Sequence, residues 1–342
     1  MKKVTIRDVA KHAGVSVASV SYVLNGIDKI TPETKERILK AIKELDYKPD
    51  MTARSLSTGK SGLIGVCLPI TEKGDIPGDL LESNPFFSEF ISGIEYTTRN
   101  QGYDLVICGL DKNMKYKDWF QRRRFDGLII LGVYPKSIFD EIKSLDIPVV
   151  LSDAYEEYAT DFHRVMVNDE HGGYIATKHL LDLGHRKIAF ASGSIKNSFI
   201  NNYRYQGYVK ALKEADVKLD KSLIFEEHVN FEGGYRTGQK MLKSNCKASA
   251  IFVAADIMAI GLLKAYIEAG KKIPDDLSII GFDNIKFAQY TVPGLTTVKQ
   301  DTFMKGRMSA EMILNDLKEG KRTNHSIIIQ PEIIVRGSTA PI

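Results

Sequence analysis

The chain changes rhythm near residue 60. Before it, apolar residues recur at helical spacing in three short stretches; after it, short continuous apolar runs alternate with longer amphipathic ones. In the first stretch Ile6, Val9 and Ala10 run into Ala13-Gly14-Val15, and a second helix opens at Ser16 with Val20, Val23 and Leu24 on its apolar side. Gly14 can take the positive φ that ends one helix and turns the chain sharply. Ser16 is a good N-cap for the next helix. Thr31-Pro32 opens a third, with Thr as cap and Pro at the first helical position. Its Ile38, Ile42 and Leu45 share one face and would close a small three-helix core, which Pro49 ends. Two short helices joined by a tight turn containing Gly describe a helix-turn-helix, whose second helix enters the DNA major groove.

Residues 50–60 are polar, with Ser, Thr and Gly, and read as a linker. Beyond Lys60, buried parallel strands are predicted at Leu63 to Leu68, Leu105 to Cys108, Gly127 to Leu131, Val149 to Leu151, Ile188 to Ala191, Ala250 to Ala254 and Leu277 to Phe282. Amphipathic helices fall between most of them, as at Phe87 to Gln101, Gly172 to Leu183 and Ala259 to Ala269. Alternating β and α argues for doubly wound sheets, and a core of this length holds two.

Composition narrows the class. No apolar run approaches the ~20 residues of a membrane span. Lys2 and Lys3 have no apolar stretch behind them, so no signal peptide is expected. Three scattered cysteines, Cys67, Cys108 and Cys246, suit a reducing cytoplasm and give no zinc spacing. Charge is unevenly placed: residues 1–60 hold 12 Lys/Arg against 7 Asp/Glu, a net of +5, and the remainder 35 against 36, a net of −1. The positive excess sits on the end that would meet phosphates.

These residues also carry a family pattern: Val4 to Ala10 (V-T-I-x-D-V-A), Ala13 to Ser16 (A-G-V-S), Ser19 to Asn25 (S-V-S-x-V-L-N), Tyr47 to Pro49 and Ala53 to Leu56 (A-R-S-L). The sequence resembles the lactose-repressor/galactose-repressor transcription regulators over essentially its whole length. The resemblance implies an all-α helix-turn-helix DNA-binding domain at 1–48, a hinge at 49–60, and an α/β periplasmic-binding-protein-like core of two doubly wound subdomains at 61–342. The core would divide into about 61–165 with 296–325, and about 166–295 with 326–342, a ligand lying between. The hinge would become helical only when two subunits sit together on DNA; a plain tether suits its composition equally. Pro69 and Asn84 stand roughly ten residues further apart than the family pattern has them, and the segment Asp111 to Asp126 is correspondingly short. The insert would reshape the cleft mouth or a subunit contact, or be a tolerated loop.

By the same resemblance Val17, Ala18 and Tyr22 face base edges. The first two can make only apolar contacts, for example with a thymine methyl group. Thr5, Ser16, Ser19, Ser21 and Asn25 are candidates for phosphate contacts, with Arg7 and His12 weaker ones. Ala53 and Leu56 would enter the minor groove, Leu56 as an apolar wedge. Asp50, where relatives often have Asn, puts one phosphate contact in doubt.

For the effector, Arg204 in Arg-Tyr-Gln-Gly-Tyr and Asp283 in Ile-Gly-Phe-Asp-Asn match ligand-binding positions. An Arg fork and a carboxylate suit sugar hydroxyls. Phe86, Phe87, Tyr155 and Phe231 would supply aromatic walls, or plain core. Asp153 and Asp256 would line the cleft or cap helices. Ala255 stands where some relatives have Asn, and Ser198 where purine-binding relatives carry a second Arg. His171, His179 and His185 are too spread for a metal site, and Gly172-Gly173 and Gly233-Gly234 lack the form of a phosphate loop.

The expectation is therefore a cytoplasmic, non-enzymatic repressor without metal or cofactor. It would bind a pseudo-palindromic operator as a homodimer and answer to a small molecule, a sugar or sugar phosphate. A dimer rather than a tetramer is expected because no leucine heptad follows Ser326 to Val335 before Pro341-Ile342. The alternatives are a solute-binding protein and an α/β sugar-metabolising enzyme such as a sugar kinase or dehydrogenase. The first 60 residues speak against the former, the lack of a nucleotide motif against the latter.

Overall fold

The computed structural model describes residues 4–24, 26–48, 60–70, 81, 84–111, 116–132, 136–244 and 246–342. They fall into two compact units, Met1–Ser61 and Gly62–Ile342.

Among the described residues the first unit holds three helices, α1 (Ile6–Ala13), α2 (Val17–Leu24) and α3 (Pro32–Glu44). Each end has a local cause. Thr5 N–H donates to Asp8 Oδ2 at 2.9 Å, and Gly14 closes α1 at φ 67°. Ser16 Oγ accepts from Ser19 N–H at 3.1 Å and so caps α2. Thr31 caps α3 by accepting from Thr34 N–H, with Pro32 behind it. Val9, Ala10, Val20, Ile38 and Ala41 form the core, and Ile42 and Leu45 pack against it. His12 Nε2 meets Glu44 Oε2 at 2.7 Å, tying α1 to the end of α3.

The second unit holds two six-stranded sheets. The first has the order β11-β5-β4-β3-β1-β2 and is wholly parallel. Its strands are β1 (Leu63–Ile70), β2 (Asp104–Asp111), β3 (Gly127–Leu131), β4 (Val149–Ser152), β5 (His163–Val167) and β11 (Ser326–Ile329). The second runs β12-β10-β9-β8-β6-β7, with only β12 antiparallel. Its strands are β6 (Ile188–Ser192), β7 (Ile224–Glu226), β8 (Ala250–Val253), β9 (Ser278–Asp283), β10 (Thr296–Lys299) and β12 (Glu332–Ile334). Fully buried runs such as Gly127–Leu131 and Ser278–Asp283 explain why these strands read as continuous apolar stretches.

The chain passes between sheets three times, each a few residues later than the sequence suggests. β5 still pairs in the first sheet through Val167, β10 pairs in the second through Lys299, and β11 returns to the first, beside β5, before β12 joins the second. The crossings therefore lie near 168, 300 and 330. The strands complete their pairing before the chain leaves, so Thr296–Lys299 belongs with the second subdomain and Ser326–Ile329 with the first.

Helices cover the sheets in pairs: α4 (Pro85–Arg99) with α11 (Thr302–Glu319), α7 (Asp169–Asp182) with α8 (Phe199–Glu214), and α9 (Phe231–Lys243) with α10 (Asp256–Glu268). Two shorter helices, α5 (Lys117–Arg123) and α6 (Lys136–Lys143), also belong to the first subdomain. Each major pair crosses at reciprocal glycines. A Cβ on Gly93 would meet the Phe303 carbonyl oxygen at 2.1 Å, and one on Gly306 that of Phe90 at 2.1 Å. Gly173 and Gly207 stand likewise against the carbonyls of Arg204 and Glu170, Gly234 and Gly261 against those of Met258 and Phe231. The backbones touch there and no side chain fits. Gly173 and Gly234 thus serve helix packing. Gly172 leaves room for Phe282, whose ring a Cβ would meet at 2.5 Å. Among the described residues no helix is long and apolar enough to cross a membrane.

Candidate functional site

On α2 the side chains divide by exposure. Val20 is buried, while Ser16, Val17 and Ala18 stand open, Val17 with 42% of its surface exposed. Val17 is therefore outside the small core. Ser19, Ser21 and Tyr22 are half-buried, and the Lys29 ammonium lies 5.8 Å from the Tyr22 ring centroid. Ser16 and Ser19 hydroxyls lie 2.9 Å apart at the start of the helix. The Thr5 hydroxyl donates to Asp8 Oδ2 at 2.7 Å, so it must turn from Asp8 to meet a phosphate. Asn25, Ala53 and Leu56 lie outside the described residues.

In the core, the carboxyl ends of parallel strands gather the ionisable side chains. Asp153 follows β4, Asp169 follows β5, and Asp283 ends β9. Arg204, 7% exposed on α8, is the centre. Its Nε donates to Asp169 Oδ1 at 2.7 Å, and one terminal nitrogen donates to the Ala254 carbonyl at 2.5 Å and lies 3.8 Å from Asp283. Its guanidinium stacks on the Phe282 ring, 3.6 Å from the centroid. Tyr155 Oη rests against the Asp169 carboxylate and 2.7 Å from the Val167 carbonyl. Asp283 accepts from Gln300 Nε2 at 2.5 Å. Gln300 Oε1 in turn accepts from Lys305 Nζ at 3.2 Å, and Lys305 donates to Asp153 Oδ2 at 2.6 Å. The sequence Tyr155–Asp169–Arg204–Asp283–Gln300–Lys305–Asp153 is a nearly closed ring that runs through both subdomains.

Burial sets the electrostatics. It pushes Asp283 up to about 6 against the pull of Arg204. It raises Asp153 against the pull of Lys305. Burial works against the Arg204 charge, but Asp169 and Asp283 outweigh it and hold the guanidinium above its ordinary value. Asp153 and Asp283 also hold positive φ, at 63° and 117°. That backbone is uncommon for non-glycine residues and concentrates at ligand sites.

The sequence-predicted residues do not all meet. Arg204, Asp283, Tyr155 and Asp153 belong to the ring. Phe86 packs on the cores of both subdomains, with Lys305 Nζ 5.5 Å from its ring centroid. Phe87 sits edge-on to Phe86 within the first subdomain core. Phe231 packs with the second subdomain core. Asp256 is fully buried behind the ring: its Oδ2 accepts from Ile285 N–H at 2.9 Å and its Oδ1 from the Thr297 hydroxyl at 2.6 Å. Burial and then the Asp283 charge hold it well above the usual carboxylate range. His185 lies between Ser249 and the Ala340 carbonyl, and His179 meets Thr339, so both fasten the C-terminal segment.

Sequence reasoning missed Asp169, Gln300 and Lys305. Lys305 had a signal: it interrupts the buried stripe Thr302, Ser309, Met312 and Ile313 of α11. A lysine on a buried stripe has a partner to find.

A three-helix unit with a helix-turn-helix, joined to a two-subdomain core that carries a buried charged cluster at its strand ends, is the architecture of a ligand-responsive DNA-binding protein. Residues 5–50 match the family model of bacterial regulatory proteins of the lacI family, and 177–339 that of the periplasmic binding protein-like domain. The chain is 33% identical over 344 residues to the HTH-type transcriptional repressor PurR of Mannheimia succiniciproducens, covering 99% of each. It is 32% identical to the ribose operon repressor of Haemophilus influenzae, covering 98% of each. Among solved structures, the lac repressor dimer bound to operator and the anti-inducer ONPF aligns with a TM-score of 0.83 at 25% identity, over 99% of this chain and 100% of that one. A lacI-family regulator from Enterococcus faecium with bound ribose aligns with a TM-score of 0.71 at 31% identity, over 82% and 99%. The chain belongs to the lacI family and is a DNA-binding transcriptional regulator.

Proposed function

We propose that this protein is a homodimeric repressor that reads a pseudo-palindromic operator with α2 from each subunit. Its grip changes when a sugar or sugar phosphate enters the core cleft. The observation that carries the reading is the Arg204 ring, which spans both subdomains at the carboxyl ends of their strands. A ligand entering there must remake contacts with both halves, and so must bias their mutual orientation. The boundaries proposed are 1–48 for the reader, 49–60 for the hinge and 61–342 for the core. Through the hinge the ligand and the operator would share a coupling free energy of about 1–3 kcal/mol. Such a regulator works in the cytoplasm, where bacterial DNA lies, and needs no catalytic group.

Val17, Ala18 and Tyr22 would read bases, Thr5, Ser16, Ser19, Ser21 and Asn25 would hold phosphates, and Ala53 and Leu56 would enter the minor groove. Arg204, Asp283, Tyr155 and Phe86 would meet the ligand, with Phe87 and Phe231 behind the aromatic wall and Asp256 setting the Asp283 environment. The ribose bound by the Enterococcus faecium relative supports a sugar. Ser198, the position of a second arginine in purine-binding members, is here the N-cap of α8 and accepts from Asn201 N–H at 3.3 Å.

The test is operator selection from random duplexes by the full-length protein, then a mobility shift with and without a sugar panel. Arg204→Ala should keep operator binding and lose the response. An unchanged response would place the ligand elsewhere. Leu56→Ala should lose specific but not non-specific affinity, because it removes an apolar wedge and no charge.

A further inference from the structure

The charge ring also says which of the two ligand classes the cleft takes. This inference rests on the effector reading above and narrows it. Lys305 is fully buried, and Arg204 nearly so. Neither cation is available: Lys305 is held by Asp153 and Gln300, and Arg204 by Asp169, the Ala254 carbonyl and the Phe282 face. Three carboxylates (Asp153, Asp169 and Asp283) face two cations, so the positive charge of both is already matched within the cluster and, with all three ionised, negative charge is in excess.

Helix N-termini ordinarily invite anions. Those at this cleft already carry their own. Asp169 opens α7, Asp256 opens α10, and Asp301 caps α11 by accepting from Met304 N–H at 3.1 Å. A phosphate dianion would meet like charge at low dielectric, where repulsion is strong. The polar atoms left over ask for a different partner. Lys305 Nζ lies 2.6 Å from both Asp153 oxygens, so the ammonium pairs with both, although only Oδ2 accepts in hydrogen-bond geometry; the buried Thr302 hydroxyl has no hydrogen-bond partner. Thr302 stands one turn from Lys305 on the same side of α11. The Thr302 hydroxyl, and Asp153 Oδ1 through its remaining lone pairs, can accept from a ligand hydroxyl.

We infer that the cleft takes an uncharged polyhydroxy ligand and rejects its phosphate ester. Lys305 acts as the counter-ion that keeps Asp153 ionised and aimed at the ligand hydroxyls, and not as a phosphate anchor.

The experiment is calorimetry and thermal shift on the full-length protein with matched pairs. Ribose, glucose, fructose and galactose are each tested beside their terminal phosphate ester. At least one free sugar should bind, at least about tenfold tighter than its ester, as one like-charge contact in a buried site implies. An ester that binds as well as or better than its sugar overturns the inference and leaves the sugar reading standing. A silent panel removes the sugar reading and the inference with it. Asp153→Asn releases Lys305 and cancels the excess charge, so it should narrow the preference for sugar over ester by about tenfold. Asp169→Asn, which instead releases Arg204, is the second variant, and the melting curve of each shows that it is folded. If both are folded and neither narrows the preference, the electrostatic account is wrong.

Discussion

The recognition helix and the effector cleft treat polar side chains in opposite ways. On α2 the candidate reading residues Val17 and Ala18 stand open and Tyr22 is half-buried, and the short hydrogen bonds are local, between residues three apart in sequence. In the cleft the charged residues Asp153, Arg204, Asp283 and Lys305 are buried, and their partners lie 17, 35 and 152 residues away. A surface that meets a large polyanion can leave its groups in water until the partner arrives. A cleft must satisfy its charges before any ligand is present, so it builds them into the fold. Recognition on α2 is therefore separable from stability, and recognition in the cleft is not.

The sharpest test of that contrast is Lys305→Met. It leaves Asp153 buried without its cation and should destabilise the core by about 3–5 kcal/mol. Urea unfolding of the second unit measures it. Adding Asp153→Asn should restore most of the loss, and a double variant no better than the single one would break the pairing argument.

Next comes Gly173→Ala. Its methyl group would meet the Arg204 carbonyl oxygen at 2.1 Å, so α7 and α8 must part. Overpacking of this kind costs about 1–3 kcal/mol, and it should also weaken ligand binding by moving Asp169 from Arg204. Retained affinity with lost stability would separate packing from the site.

The titration of Asp283 gives a pH signature. Its folded value, about 6, stands above the ordinary carboxylate value, so the folded state holds the proton more tightly. That contribution is fully present below about pH 4 and is lost as pH rises through about 6. Asp283→Asn cannot titrate. Between pH 4 and 7 the wild type should therefore lose on the order of 1–3 kcal/mol relative to the variant. Parallel stability curves would show that the carboxyl is not raised.

The smallest effect on stability belongs to Val17→Ala, within about 0.5 kcal/mol. Operator selection should nonetheless report a changed preference at the base pair that Val17 meets. A stability loss like that of Lys305→Met would place Val17 in the core and erase the contrast.

Legibility in the sequence followed the same division. Gly14, Ser16, Thr31 and Pro32 announce the small domain because their causes are local. The wholly buried strands were equally plain, since an apolar run of four to six residues needs no partner to be recognised. β7, only three residues long, was not predicted, and neither were β5, β10, β11 and β12 as separate strands. β5 opens with His163-Arg164, β10 carries Thr296-Thr297, and β11 and β12 are short and break at Gln330-Pro331. These strands flank the crossings, and their identity depends on which sheet receives them. In the site, motif position found Arg204 and Asp283. Lys305 breaks a buried stripe, but its partner Asp153 is 152 residues away across a crossover, and Asp169 escaped because its partner Arg204 stands on the neighbouring helix, 35 residues on.

The glycine crossings govern more than helix packing. Gly173 seats α7 on the backbone of Arg204, one turn below Asp169. Gly306 seats α11 on the Phe90 carbonyl, one turn beyond Phe86 and next to Lys305. The contacts that fix the helices are backbone atoms, and the candidate ligand residues stand just beyond them. Frame and vocabulary are thus written in different letters. A change at 86, 169 or 305 can alter what the cleft accepts while the scaffold keeps its register. Such an arrangement lets one architecture be retuned to new ligands by single substitutions, without a new fold having to be found each time.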